Sequence, residues 1–241
     1  MMINAIDGSQ RKAGRVAGLA YLTTFATVVY VNFGIYNRLI VHNDIAETAR
    51  NILAHERFFR LGITGDLFYC AGVVVLLTAL YIILEPVNRA LAAVAAFWRL
   101  IWVVMWLRMT LNLLDALRLI RSSHDLGALE PARSQALASL SIDQCFDYYY
   151  VGLLFGALAS TVCGYLWFKS RYVPRGLAVF GVGASAFCVG CTFILFIFPG
   201  FDKIVNLWWF DTPMGIFDIA LSVWLLVRGL GLRTQSNTGK Q

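Results

Sequence analysis

Histidine is nearly missing from this chain: among 241 residues only His42, His55 and His124 carry an imidazole, and all three fall in polar connections between apolar runs. With no His-x-x-x-His pair and no cysteine-rich ligand set, haem, di-iron and zinc centres lack their usual ligands, so neither a metal nor a cofactor is expected. No G-x-S-x-G, no phosphate-binding Gly-Lys-Ser/Thr loop and no G-x-G-x-x-G leading out of a strand is present, which leaves ATP-driven transport by this chain alone without a motor. The five cysteines, at 70, 145, 163, 188 and 191, lie mostly inside apolar runs and offer no disulfide framework. Cys188 and Cys191 form a C-x-x-C in an apolar helix, but nothing nearby activates a thiol, and buried thiols are usually inert.

Charge is scarce as well, at 14% of residues, while 59% are hydrophobic. The mean hydropathy is +0.67. A soluble fold, with roughly 45–50% apolar content, does not hide that much apolar surface. Apolar runs of at least about 18 residues, each able to cross a hydrocarbon core of roughly 30 Å, recur along the whole chain, so residues 1–241 read as a single transmembrane domain. The expected fold is all-α, an integral membrane bundle of six helices spanning about 15–37, 58–84, 91–119, 144–168, 176–198 and 213–231. The first run follows a polar opening, Met1 to Gln10, and a basic cluster, Arg11, Lys12 and Arg15. It is too long for a signal-peptide core of about 7–15 residues and has no small-residue cleavage site after it, so it stands as the first span.

The formal net charge of +6 follows from loop charges that set orientation rather than from a nucleic-acid partner. Ten basic residues fall on one side: Arg11, Lys12, Arg15, Arg89, Lys169, Arg171, Arg175, Arg228, Arg233 and Lys240. The other side carries eight, Arg38, Arg50, Arg57, Arg60, Arg118, Arg121, Arg133 and Lys203, spread over longer connections. The positive-inside rule then predicts both termini in the cytoplasm.

On the opposite side, Asp44 followed three residues later by Glu47 predicts a capped surface helix between the first and second spans. Ser141-Ile-Asp-Gln144 reads as a capping box that starts the fourth helix, and Thr212-Pro213 as N-cap and first residue of the sixth. Trp208 and Trp209 sit where an interfacial aromatic belt is expected. Gly152, Gly156, Ser160 and Gly164 recur every four residues on the fourth helix and predict close approach to a neighbour.

Four stretches carry a resemblance: Arg15-Val-Ala-Gly-Leu-Ala-Tyr-Leu22, Asn51-Ile-Leu-Ala-His-Glu-Arg-Phe-Phe-Arg-Leu-Gly62, the turn Pro86-Val-Asn-Arg89, and Phe168-Lys-Ser-Arg-Tyr-Val-Pro-Arg175. In these the chain resembles a family of bacterial multi-pass membrane proteins catalogued as domain of unknown function 4386, over nearly its whole length. The resemblance implies a bacterial cytoplasmic (inner) membrane protein and carries no catalytic residue with it.

Ionisable side chains at depth in hydrocarbon cost at least about 2.5–3.5 kcal/mol on insertion scales, so each needs a partner, a wet cavity or a function. Asp66 in the second span, Arg99 and Arg108 in the third, and Asp218 in the sixth are such groups. At about 100° per residue, Arg108, Asn112 and Asp115 share a sector of roughly 60°, with Arg99 on nearly the opposite face. Arg99 lies close enough to the cytoplasmic end to read as a snorkelling anchor, whereas Arg108 is expected inside the bundle. Trp98, Trp102 and Trp106 form a stripe beside that sector, read as packing or lipid-facing surface rather than as a cation site. Asp143 reads as a charge in the first helical turn, and Asp147, before Tyr148, Tyr149 and Tyr150, as a pocket rim or part of the aromatic belt.

Asp66, Arg108, Asn112, Asp115, Asp147 and Asp218 are all expected in the outer half of their spans, converging on one level. The leading expectation is a membrane-embedded enzyme or binder for a lipophilic small molecule, for example an isoprenoid, in a pocket between helices two, three, four and six. Asp66 and Asp218 are the candidate catalytic acids, because a carboxyl group in an apolar site favours its neutral, proton-donating form. Arg108, Asn112, Asp115 and Asp147 are the candidate substrate-binding groups. Two other classes stay open: a small-solute or proton-coupled transporter, and a structural or regulatory subunit whose charges pair with another protein. The lipid bilayer is the one certain partner expected, a homo-oligomer is compatible, and nucleic acid is not expected.

Overall fold

A computed structural model of the chain describes residues 7–41, 44–125, 131–198, 200–201 and 204–231, without the side chains of 123–125, 131–132 and 207–208. His42, Pro199, Lys203, Arg233, Lys240 and most of the polar opening lie outside the described residues, as do the side chains of His124 and Trp208. An unpaired backbone amide in lipid costs several kcal/mol, so a chain this apolar closes its hydrogen bonds within helices. The described residues hold α1 (Gly8–Val29), a π-helical segment (Tyr30–Tyr36), α2 (Asn37–Leu39), α3 (Ile45–Ala54), α4 (Glu56–Leu84), α5 (Arg89–Asp125), α6 (Pro131–Ser170), α7 (Arg175–Ile197) and α8 (Leu207–Val227). Six stretches, with α1 to α2 counted as one, are long and apolar enough to cross a membrane. The short helix α3 is capped by Asp44, whose side chain accepts from the Glu47 amide at 2.8 Å.

Two helix starts differ from the sequence expectation. Helix α6 begins at Pro131, not near Ser141. Proline suits a first helical position because its missing N–H is one of the unsatisfied donors there anyway. Ser141 is therefore internal, and its hydroxyl donates back to the Leu137 carbonyl at 3.1 Å instead of capping a new helix. Helix α8 begins at Leu207, which places Pro213 inside it. A proline there has no N–H for the carbonyl one turn earlier and bends the helix rather than opening it. As a consequence Asp218 stands in the middle of α8, not near its outer end.

The chain forms two compact units. The first comprises Met1–Leu22, Val75–Arg99 and Gly156–Gln241. Its core gathers Ala17 and Tyr21 of α1, Leu76 and Ile83 of α4, Trp167 of α6, and Phe217, Leu221 and Leu225 of α8, all buried. The second comprises Thr23–Val74 and Leu100–Phe155. Its core is built on Ile35 and Tyr36 of the π-helical segment, Ile52 of α3, Phe59 and Val73 of α4, and Trp106 and Leu117 of α5.

The small-residue stripe of α6 serves several neighbours instead of one. In the second unit a Cβ on Gly152 would stand 2.8 Å from the Trp102 ring of α5. In the first unit a Cβ on Gly164 would stand 3.1 Å from the Val182 backbone of α7. Ser160, between them in sequence, turns its hydroxyl to Arg99.

Candidate functional site

Helix lengths set the depth of each charge. The ion pair Arg89–Glu85, with both side chains well exposed, marks the aqueous end of the α4–α5 turn. About 20 residues cross the hydrocarbon, so α5, at 37 residues or about 55 Å, and α6, at 40, extend well past it. Counted from Arg89, Arg99 is about half-way through the hydrocarbon. Arg108 comes out near the far interface, and Asp115 lies beyond it. The same count from Ser170 puts Asp147 past the far interface, and from Val227 it puts Asp218 near mid-membrane.

The mid-membrane charges are therefore Arg99 and Asp218, and both belong to the first unit. Arg99 is only 7% exposed, so it does not snorkel as expected. Its Nη2 donates to Ser160 Oγ at 3.0 Å, and its guanidinium lies 5.9 Å from the centroid of the Tyr21 ring. Asp218 lies within coulombic reach of Arg99, and both act on the Tyr21 phenol and the Cys163 thiol. The opposite charges offset part of the cost of placing a carboxylate and a guanidinium this deep, though not all of it. Hydrogen bonding is not complete: Asp218 Oδ1 is buried and has no hydrogen-bond partner among the described residues. A cavity of about 10 Å³, lined by Leu80, Ala92, Ala95, Arg99 and Cys163 among others, adjoins the cluster and has room for roughly one water. An acceptor left open can take a hydrogen bond from a hydroxyl or ammonium group, and the neutral carboxylic acid can pass its proton to a hydroxyl oxygen or an amine.

Asp66 occupies a different setting, in the second unit. It is 1% exposed, and its Oδ2 accepts from the Tyr36 hydroxyl at 2.5 Å while Oδ1 accepts from Trp106 Nε1 at 3.1 Å. Tyr36 reaches it from the end of the π-helical segment, past Gly62, where a Cβ would stand 2.8 Å from the Tyr36 ring. Gly62 lies one turn before Asp66 on the same face of α4, so the missing side chain makes the passage for the phenol. Around the carboxylate the rings interlock: Tyr69 and Trp106 centroids are 4.4 Å apart, Trp102 and Trp106 5.2 Å, and Trp106 and Tyr149 5.9 Å. Trp102 Nε1 also donates to the Tyr69 hydroxyl at 2.9 Å. Trp102 and Trp106 are thus packing surface, and both oxygens of Asp66 are already engaged.

The other expected site residues are dispersed over the second unit. Arg108 is exposed rather than interior, and its Nη2 donates to the Tyr148 hydroxyl at 3.2 Å with the guanidinium 5.2 Å from that ring. Near an interface an arginine can hold its head toward water in this way. Asp115 is exposed and paired with Arg118 at 3.3 Å. Asn112 is buried and donates to Gln144 Oε1 at 3.3 Å, joining α5 to α6. Asp147 is exposed, and so is Asp143, which accepts from Ser139 at 3.5 Å. Asp218 is not among this group, since it belongs to the first unit. From the sequence, Arg99 reads as a snorkelling anchor and Ser160 as part of a packing stripe, and neither Tyr21 nor Cys163 is singled out as a partner. The signals that could have found them were the position of Arg99 ten residues into α5 and the one hydroxyl in the glycine stripe.

Among the described residues, no group of three or more histidine, cysteine, aspartate or glutamate side chains is placed to hold a metal ion. All five cysteines are buried and unbridged, Cys188 and Cys191 included. No curated protein and no solved structure matches the chain. A family model does match, over residues 16–229, which is most of the 241. The chain belongs to the family described as Domain of unknown function (DUF4386), and its six long apolar helices make it a multi-pass membrane protein.

Proposed function

We propose that the protein binds, and acts as acid or base upon, a lipophilic small molecule whose polar head donates a hydrogen bond to Asp218. The observation that carries this reading is the buried Asp218 Oδ1, which has no donor among the described residues although it belongs to the same unit as Arg99. A buried acceptor left unpaired costs roughly 1–3 kcal/mol, a cost that a bound hydroxyl or ammonium group would remove. Arg99, held by Ser160, would fix the carboxylate's orientation, and an isoprenoid-like chain would lie outside the one-water cavity, along the half-buried side of Asp218. Asp66, already satisfied by Tyr36 and Trp106, serves stability in this reading. The basic-residue balance supports both termini on the cytoplasmic face of a bacterial inner membrane.

The test is mass spectrometry of organic extracts from the detergent-purified protein and from Asp218→Asn, with Arg108→Gln as a control outside the centre. A lipophile retained by the parent and by Arg108→Gln, and reduced at least about tenfold in Asp218→Asn, is expected on the loss of one charge-assisted bond. Identical extracts from all three proteins would overturn the proposal.

A proton-coupled transporter is the second reading, and the one-water cavity beside Arg99 and Cys163 favours it because it admits a proton carrier and little else. In that case liposomes would show a proton flux that Asp218→Asn abolishes, with no lipophile retained. A structural subunit pairing its charges with another protein has less support: Arg108 lies near an interface, and Asp115 already has Arg118.

A further inference from the structure

The second unit carries a groove that the candidate site does not use. It lies between the end of α1 with its π-helical continuation and the first turns of α4, and has a volume of about 480 Å³, within the range of about 300–1,000 Å³ usual for ligand sites. Ala26, Tyr30, Leu61, Thr64, Gly65 and Phe68 are among its walls. The floor at Gly65 is bare, since a Cβ there would meet Val31 at 2.5 Å. The two threonine hydroxyls that face the region, Thr27 and Thr64, donate to their own helices at Thr23 and Arg60, so the groove presents hydrocarbon. Tyr30 and Phe68 stand 56% and 58% exposed on either flank.

One end of this apolar groove is strongly basic. Arg57 is exposed and lies one turn before Leu61 on the same face of α4. Arg60, beside it, is half exposed and is paired with Glu56 at 2.7 Å, and Arg121 of α5 reaches the same Glu56 oxygen at 3.2 Å. Two guanidiniums thus share one carboxylate, and Arg57 adds a third positive charge beside them. About 20 residues of α4 counted back from Leu84 end near Thr64, so Leu61 and Thr64 lie at the interface and the arginines in the headgroup layer. From Leu61 to Phe68 the groove runs about 10 Å into the hydrocarbon.

An apolar channel that starts at an interface under a cluster of arginines matches a molecule with an acyl chain and a negative headgroup on the same end. We propose that this groove is a binding site for one anionic phospholipid, with an acyl chain between α1 and α4 and its phosphate on Arg57 and Arg60. A helix of a second copy would fill the apolar part but would bring nothing to offset the excess of positive charge that Arg57, Arg60 and Arg121 leave over the one carboxylate of Glu56, so the lipid fits better.

The experiment is native mass spectrometry of the whole protein released from vesicles of equimolar phosphatidylglycerol and phosphatidylcholine with the same acyl chains. One retained phosphatidylglycerol is expected in preference to phosphatidylcholine. Arg57→Gln should lower that preference about fivefold, the effect of one basic residue near an anionic surface. Ala26→Trp, placed at a lipid-exposed position to fill the groove, should cut retention of both lipids, and Leu61→Trp serves the same purpose should Ala26→Trp fail to fold. Equal retention of the two lipids by the parent, or an unchanged preference in Arg57→Gln, would overturn the proposal. A dimer that Ala26→Trp converts to monomer, with no lipid bound, would overturn it too, by showing that the groove holds a second copy.

Discussion

Asp66 and Asp218 are both carboxylates on membrane-spanning helices, the first buried and the second half-buried with one buried oxygen, yet their surroundings are opposite in kind. In the second unit Asp66 has each oxygen taken by an aromatic donor, and the rings that supply those donors pack against one another. In the first unit Asp218 is offset by a charge but has an oxygen with no donor. The contrast is wider than these two residues. Among the described residues the buried side-chain atoms lacking a hydrogen-bond partner are those of Trp167, Ser185, Asp218 and Trp224 in the first unit and Ser134 alone in the second. Polar groups that are fully paired specify a structure, whereas unpaired ones in a native fold call for a ligand or another function. On the proposed function, the aromatic centre of the second unit is framework and the Asp218 centre of the first is the working part.

The largest effect expected from this contrast is on stability, at Asp66. Asp66→Ala leaves the Tyr36 hydroxyl and the Trp106 indole N–H buried without an acceptor, and should lower the unfolding free energy by about 2–5 kcal/mol in a micelle-based denaturation. An unchanged midpoint would break the comparison outright. Next comes Gly62→Leu, which blocks the route of the Tyr36 ring to Asp66 and should cost about 1–3 kcal/mol by overpacking. A double-mutant cycle with Tyr36→Phe sharpens this, because the second change should cost less once the ring has been displaced. Ser160→Ala removes the hydroxyl that holds Arg99 and should cost about 1 kcal/mol. Asp218→Asn takes a counter-charge away from buried Arg99 and should cost stability less than Asp66→Ala does, while ligand retention falls. A loss at Asp218→Asn as large as at Asp66→Ala would mean that both carboxylates are framework.

Much of this architecture could be read from the residues. Six apolar runs predicted six spans, because in lipid the backbone has no alternative to helix and the runs are long enough to show it. The cap at Asp44 was equally visible, since a capping box is local chemistry. The starts of α6 and α8 were not. Residues 131–143 are too polar to count as a span, yet they continue α6 as plain helix, and Thr212-Pro213 imitates a helix start that the helix simply runs through. That error moved Asp218 to the wrong depth.

Partner choice was hidden for a different reason. A helical wheel separates the faces of one helix, and it put Arg99 opposite Arg108 without showing what lies against either face. Only the packing of α5 against α1, α6 and α8 in the first unit reveals that Arg99 meets Tyr21, Ser160 and the field of Asp218. Tyr36, at the edge of its expected span, carried no signal of its own as the donor to Asp66.

The π-helical segment Tyr30–Tyr36 makes the framework sensitive to chain length as well as to composition. Each of its turns holds one residue more than an α-helical turn closes over. Were these seven residues to wind as α-helix instead, everything after them would turn by roughly 100°, carrying the Tyr36 phenol off its carboxylate, whereas deleting one residue would take up most of that turn. Neighbouring stretches of regular helix can exchange side chains freely so long as they stay apolar. This one tolerates such exchanges only if they keep its wider winding.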